Sequence, residues 1–413
     1  MLRYLILVSV GLSVHTAGFA SDRLAQVDAL KSEYDAAVAD WRKEFTAPAD
    51  GSRMSTERSI EAYEQWPAWS FLPRFLRLAS EKPDDDAAYE CCQWVLDCVS
   101  AVGSSESRMF SADTTAWEML ATHHTDRDDL PRLCLQAAQY PGPARESFLR
   151  KLRNDPESSR EAAGFATTAL AQLLSQKYEL ASMSQRRDQQ QTTNEFNRYL
   201  RSQESPEWAQ YIDATQVQRY RQQAIEIFRD AQSNYHDIPV SITAPYFRNL
   251  NTLGEKADKS LHALEHLVIG AVAPNITGVD LHGEPLDLKD YRGKVVLLSF
   301  WFPGCAPCLG LVPEEKNLLE TFQGRPFALL GICHDDQREV ALEVAEEHGM
   351  DWPIWFENPK GPIVTNWNVL SWPTLYVLDA EGRIVEKGLR GEDLEQFLIE
   401  LVEQQESQTQ QRK

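Results

Sequence analysis

The sequence predicts two architectures in one chain: an all-α helical array over residues 21–266 and an α/β domain over 267–404. Three observations carry this reading. Before residue 267, apolar side chains recur at three- and four-residue steps, with few alternating, strand-like runs. After it, continuous apolar runs of strand length alternate with helical stretches. The length of 413 residues also exceeds what one ordinary hydrophobic core holds, so two domains are expected.

The chain opens with a leader-like segment over 1–20. Arg3 gives a basic start, 4–14 is apolar, and Gly18-Phe19-Ala20 forms a small-x-small site before Ser21. An uncleaved anchor is the alternative to a cleaved signal. The cleaved reading is preferred because a bilayer-spanning helix needs about 20 apolar residues. The mature chain is therefore expected to be exported, periplasmic in a bacterial host, with no membrane contact required. No Cys adjoins the cleavage point, so lipid attachment there is not expected.

In the helical array, Leu24, Val27, Leu30, Tyr34, Val38, Trp41 and Phe45 mark one face of a first helix. Similar stripes cover 71–79, 87–99, 148–152, 162–180 and 220–228. Pro67, Pro73, Pro83, Pro131, Pro141, Pro143, Pro156 and Pro206 read as breaks between them. Asp84-Asp85-Asp86 reads as the start of a helix, since acids favour the first turn. A helical-hairpin repeat remains open, although no fixed period carries its signature. The polar segments 185–191 and 404–413 are expected to be solvated or disordered, the last nine residues forming a disordered tail over 405–413.

Composition narrows the function. A formal net charge of -21 argues against nucleic acid and against anionic lipid, both of which need clustered Lys and Arg. Seven cysteines in a chain of this length do not make a disulfide scaffold. Cys91 and Cys98 lie two helical turns apart, roughly 10 Å by helix rise, which is beyond disulfide reach. Cys91, Cys92, Cys98 and Cys134 read as small buried hydrophobes. A bridge from one of them to Cys134 is the alternative. A zinc site with His123 and His124 lacks ligand spacing of the usual kind.

In the α/β domain, 295–301, 327–333 and 375–378 are apolar enough to be buried strands. Helical stretches over 312–322, 338–348 and 393–402 separate or follow them, and Asp379-Ala380-Glu381-Gly382 forms a hairpin turn into 383–387.

The first strand runs straight into Cys305-Ala306-Pro307-Cys308, which opens the next helix. Amides at a helix N-terminus stabilise a thiolate at the first Cys, and a second Cys one turn later can resolve a mixed disulfide. Pro307 suits the first turn, where its missing N–H is not needed. A static disulfide or a metal knuckle fits less well, since no second Cys pair exists.

Together these motifs resemble the TlpA/ResA family of bacterial thiol–disulfide oxidoreductases, within the thioredoxin-like redoxins. The resemblance covers 269–404, roughly a third of the chain. It rests on Ile269-Gly270-Ala271-Val272-Ala273-Pro274, on the Gly/Leu/Asp/Tyr/Gly-Lys run of 283–294, and on Phe300-Trp301 ahead of the two cysteines. Pro313 and Trp372-Pro373-Thr374 complete it. It implies a thioredoxin-like fold, catalytic Cys305 and Cys308, no cofactor and no metal, and a cis peptide bond before Pro373 beside Cys305. It also implies substrate contacts from Trp301, Trp372 and Pro373. Implied partners are protein disulfides, as in cytochrome c maturation, and an upstream thiol electron donor.

Four positions depart from the family pattern: Gly304 just before the first Cys, Ser299 for a buried acid or amide, Leu311 for a Glu, and the bulky Trp372. Neither acid expected to manage the Cys308 proton is therefore present. Cys333-His334-Asp335 ends a neighbouring strand at the edge where open sheets place their sites. His334 or Asp335 is the candidate replacement. Cys333 as a third redox thiol is the sharper reading, and a buried strand Cys the preferred one. His262 and His266 read as surface or interface residues.

The leading function is reduction of protein disulfides. A thiol peroxidase on the same fold needs a Thr three residues before its Cys and a Pro four further back, where this chain has Phe302 and Leu298. A third possibility is a helical binding protein with an accessory redox domain.

Overall fold

The computed structural model describes residues 22–45, 54–102, 107–187, 206–240, 251–359, 361–369 and 371–411. The expected leader over 1–20 and residues 188–191 of the polar segment lie outside them. The chain divides into two compact units after Ala257, within the helix Leu253–His266. None of the described helices is long and apolar enough to cross a membrane.

The first unit is helical, as its periodicity requires. Its longer helices are Asp22–Glu44, Ala68–Glu81, Asp86–Val102, Ser107–His123, Pro143–Asn154, Arg160–Arg187 and Val217–Tyr235. Trp94 ties three of them together, stacking on Phe75 at 3.7 Å and meeting Tyr34 edge-on at 4.9 Å. Asp85 accepts a hydrogen bond from the Ala88 amide at 2.8 Å, so the acidic triplet does open a helix. Pro131 and Pro143 sit in first helical turns, where an amide hydrogen is dispensable. Pro73 corrects the expected breaks, because it lies inside Ala68–Glu81. Phe71, Leu72 and Phe75 are buried around it and hold that helix through the lost bond. Cys91, Cys92, Cys98 and Cys134 are buried and unbonded. Burial pushes the Cys91 and Cys92 thiols up to about 12 and raises those of Cys98 and Cys134 as well.

One ion pair lies fully inside this unit. Arg145, with 0% exposure, grips Asp113 through Nε at 2.9 Å and through a terminal nitrogen at 2.6 Å. Its other terminal nitrogen donates to the Gln136 carbonyl at 2.9 Å. Both charges are thereby satisfied without water.

The second unit is built on a five-stranded sheet. The strands of this unit are β1 (Thr277–Val279), β2 (Pro285–Asp287), β3 (Val295–Trp301), β4 (Phe327–His334), β5 (Ile354–Glu357), β6 (Thr374–Leu378) and β7 (Ile384–Lys387). β1 and β2 form a separate hairpin, and the main sheet runs β5-β4-β3-β6-β7. β4 and β5 run parallel to their neighbours, while β6 and β7 are antiparallel. β3 is buried along its whole length, as a continuous apolar run in a central strand demands. Its alternating side chains feed two cores: Val296, Leu298 and Phe300 on one face, and Val295, Leu297 and Trp301 on the other. The β6–β7 turn forms as expected, with Gly382 at φ +76° and Asp379 accepting from the Arg383 amide.

Two features differ from expectation. β5 follows Trp352-Pro353 and has only four residues, too short for its pattern to register. The tail expected to be disordered instead continues the helix Gly391–Gln411. Arg325 holds it with two bonds to Glu406, at 2.8 and 2.9 Å, a partner 81 residues away that composition does not reveal.

Removing one member of the buried ion pair leaves the other uncompensated. Arg145→Ala is expected to destabilise the helical unit by about 3–5 kcal/mol. Urea unfolding followed by circular dichroism measures this, and Asp113→Asn added to Arg145→Ala should cost much less than the sum of the two single changes.

Candidate active site

The carboxyl end of β3 turns through Phe302, Pro303 and Gly304 into Cys305, which caps the short helix Ala306–Leu309. Cys305 and Cys308 are joined as a disulfide, with their Cα atoms 5.2 Å apart. The Cys308 amide donates to Cys305 Sγ at 3.2 Å, and the Leu309 amide to the Cys305 carbonyl at 3.0 Å. Backbone N–H groups thus point at the first sulfur, which is the arrangement that stabilises a thiolate there once the bond is reduced. Cys305 was expected to be the more exposed of the two; both residues are 4% exposed. Gly304, Ala306 and Pro307 carry the exposed surface around them.

Trp372 and Pro373 stand beside this turn. The Trp372–Pro373 bond is cis, as the resemblance implies. Pro373 precedes β6, whose Thr374 pairs with Phe300 near the end of β3, so both loops leave the same edge of the sheet. The Phe302 and Trp372 rings meet edge-on at 5.5 Å. This contact accounts for two departures at once. A side chain at position 304 would meet the Phe302 ring at 3.2 Å, so Gly304 leaves room for the aromatic pair that the bulky Trp372 completes.

Trp301 is corrected. It was expected to touch substrate, yet it is only 3% exposed and belongs to the core that also holds both cysteines. Its place in the inward-facing alternation of β3 decides this. Cys333, opposite Trp301 on β4, is a fully buried free thiol whose ionisation is pushed up by burial.

His334 and Asp335 sit differently from one another. The His334 ring stacks on Trp372 at 5.7 Å, and its Nδ1 lies 3.7 Å from a Glu357 carboxylate oxygen. Asp335 accepts from the Gln337 amide at 2.9 Å and so shapes the turn into the helix Arg338–His348. His262 meets the Asn366 carbonyl at 2.9 Å and pairs with His266 at 4.9 Å between rings. Among the described residues, no three His, Cys, Asp or Glu side chains are grouped to hold a metal ion.

The residue that sequence reasoning missed is Glu315, in the helix Val312–Thr321 that follows the cysteine pair. It is 6% exposed, and its Oε1 has no hydrogen-bond partner. Burial pushes its carboxyl up to about 7; a hydrogen bond with Ser299 opposes that shift and Glu314 adds to it. The signal was in the stripe Val312, Glu315, Leu318 and Phe322, where an acid occupies an otherwise apolar helical face.

Comparisons with known proteins fall on this unit. Residues 269–387 match the AhpC/TSA family profile. The chain is 26% identical over 136 residues to the thiol-disulfide oxidoreductase ResA of Bacillus thuringiensis, covering 33% of this chain and 78% of that protein. It is 31% identical over 118 residues to the thioredoxin-like protein YneN of Bacillus subtilis, covering 28% of this chain and 68% of that protein. Among solved structures, the thioredoxin domain of a thiol-disulfide oxidoreductase from Bacteroides vulgatus is 33% identical. That match covers 33% of this chain and 98% of the domain, with a TM-score of 0.31.

The Glu315 environment has a measurable cost. Between about 4.5, where the unfolded carboxyl ionises, and about 7, the native state holds a proton that the unfolded state releases. Its contribution to stability is complete below that window and is lost as pH rises through it. Glu315→Gln is therefore expected to leave stability unchanged at pH 4 and to raise it at pH 8 by about 2–3 kcal/mol. Denaturant unfolding of the oxidised protein at the two pH values tests this.

Proposed function

This chain belongs, through its C-terminal domain, to the ResA-like thiol–disulfide oxidoreductases, and on that premise we propose that it is an exported reductase of protein disulfides. The observation that carries the proposal is the Cys305–Cys308 disulfide at the end of β3, with the Cys308 amide aimed at Cys305 Sγ. In the reduced form Cys305 attacks a substrate disulfide and forms a mixed disulfide. Cys308 then attacks Cys305 Sγ, the bond to the substrate sulfur breaks, and the substrate leaves reduced while the pair is reoxidised. An upstream dithiol donor restores the pair.

The loops around the pair suit an extended protein segment. Trp372 and Phe302 are half-buried rings at the rim, and the Pro373 carbonyl accepts a hydrogen bond from Arg390. The substrate path runs over Trp372 and Pro373 in this reading, with Trp301 supporting it from below. A peroxidase finds no comparable support, since Phe302 and Leu298 carry no hydroxyl to orient a peroxide.

Export rests on the leader pattern over 1–20. N-terminal sequencing of protein from its native source should begin at Ser21, and a retained Met1 would refute cleavage.

The exchange mechanism gives a sharper test. Cys305→Ser in the full chain is expected to abolish insulin-disulfide reduction. Cys308→Ser should retain the first attack and accumulate mixed disulfides, seen as a mass increase that dithiothreitol reverses. Wild-type turnover by Cys305→Ser would overturn the mechanism.

A further inference from the structure

Cys308 must lose a proton before it can resolve a mixed disulfide, and the core around it offers few groups to take one. That core holds Leu297, Trp301, Val312, Leu318, Leu375, Leu394 and other apolar side chains around Cys305 and Cys308. Its polar members are few. β3 supplies the Ser299 hydroxyl and the Trp301 indole, whose Nε1 lacks a hydrogen-bond partner. β4 supplies the Cys333 thiol, and the cysteine turn the pair itself. The helix Val312–Thr321 supplies Glu315, with Glu314 beside it but exposed. Residues Leu394, Leu398 and Val402 of the C-terminal helix face this core with apolar side chains.

Glu315 is the one buried carboxyl in this set, and its placement is directional. The Leu311 amide donates to the Cys308 carbonyl and the Glu315 amide to the Leu311 carbonyl, so Cys308 and Glu315 stand on successive turns of one helical path. Helical side chains lean toward the N-terminus, which tilts Glu315 back toward Cys308. Seven residues of helix rise amount to roughly 10 Å, too far for direct contact. Ser299, hydrogen-bonded to the Glu315 carboxyl, lies on the same face of β3 as Leu297 and Trp301 and bridges the gap from the sheet side. A Leu at position 315 would fill the stripe without the cost of a buried acid, and strongly perturbed groups beside reactive ones mark function more often than architecture.

We propose that Glu315, acting through the Ser299 hydroxyl, takes the Cys308 proton during resolution of the mixed disulfide; the proposal rests on the dithiol-exchange reading given above. The Cys308 thiol gives its proton to Ser299 Oγ as that hydroxyl passes its own to the Glu315 carboxylate, leaving a thiolate and a carboxylic acid. The thiolate's electron pair forms the bond to Cys305 Sγ, and the pair of the breaking bond leaves with the substrate sulfur. The proton held by Glu315 then returns to solvent or to that departing thiolate. Glu315 is thus a positioning and proton-holding residue, not a group in contact with the reacting sulfurs.

The test uses the reduced full-length chain mixed rapidly with dithiobis(nitrobenzoate), which releases one coloured thiolate on attack by Cys305 and a second on resolution by Cys308. Glu315→Gln should leave the first phase within about twofold and slow the second at pH 7 by on the order of 100-fold, the range expected for a lost general base. The wild-type second phase should rise with pH through the carboxyl's titration. In the variant that inflection should vanish and the rate recover only in alkaline solution. Glu315→Asp should restore part of the rate, and Ser299→Ala, which keeps the core apolar, should reproduce the slow second phase even if Glu315→Gln folds poorly. A normal second phase with an unchanged pH profile in both Glu315→Gln and Ser299→Ala overturns the assignment. Absence of the first phase in the wild-type chain instead overturns dithiol exchange, and this proposal with it.

Discussion

The burial of β3 on both faces is the constraint on which the second unit depends. A strand sealed above and below must alternate its side chains between two cores, and Val295–Trp301 does so without a break. The strand end then delivers the chain to the sheet's carboxyl edge, where the only continuation is a turn into a helix. Cys305 occupies the cap of that helix because of where β3 stops. Pairing of β6 against β3 brings the Trp372–Pro373 loop to the same edge, and pairing of β4 brings His334. The site is therefore a consequence of strand register before it is a matter of individual side chains.

Much of this was legible in the sequence because its strongest signals are local. The apolar run 295–301, the spacing of Cys305 and Cys308, and the Trp372-Pro373-Thr374 loop each fit within a few residues. What escaped depends on partners far along the chain. The C-terminal helix reads as a polar tail until Arg325 is found against Glu406. β5 is four residues that become a strand through pairing with β4. Trp301 reads as a surface aromatic beside a reactive Cys, and only its position in the alternation of β3 shows it to be core. Glu315 escaped for a different reason, because a single acid in an apolar stripe is easily taken for the neighbouring, exposed Glu314.

Two buried acids in this protein illustrate opposite solutions to one physical problem. Asp113 lies inside the helical unit with Arg145 wrapped around it, so both charges persist at neutral pH and act as fixed architecture. Glu315 has a hydroxyl for company and no cation, and burial moves its titration to about 7 instead. An ion pair of the first kind resists protons. A lone carboxyl of the second kind exchanges them near neutrality, and that makes it useful next to thiol chemistry and costly anywhere else.

The same contrast separates the cysteines. Cys91, Cys92, Cys98, Cys134 and Cys333 are all buried, and burial raises the thiol of each. The thiolate is the attacking species in exchange, so these five are held in the unreactive form. Cys305 is no more exposed as a residue than Cys98, at 4% against 6%, so exposure alone does not mark the reactive sulfur. What differs is the polar environment: backbone amides at a helix start face Cys305, whereas apolar helix packing surrounds the others. A chain with seven cysteines can thereby run one defined exchange reaction, because the field at each sulfur, and not its access to solvent, decides which of them ionises.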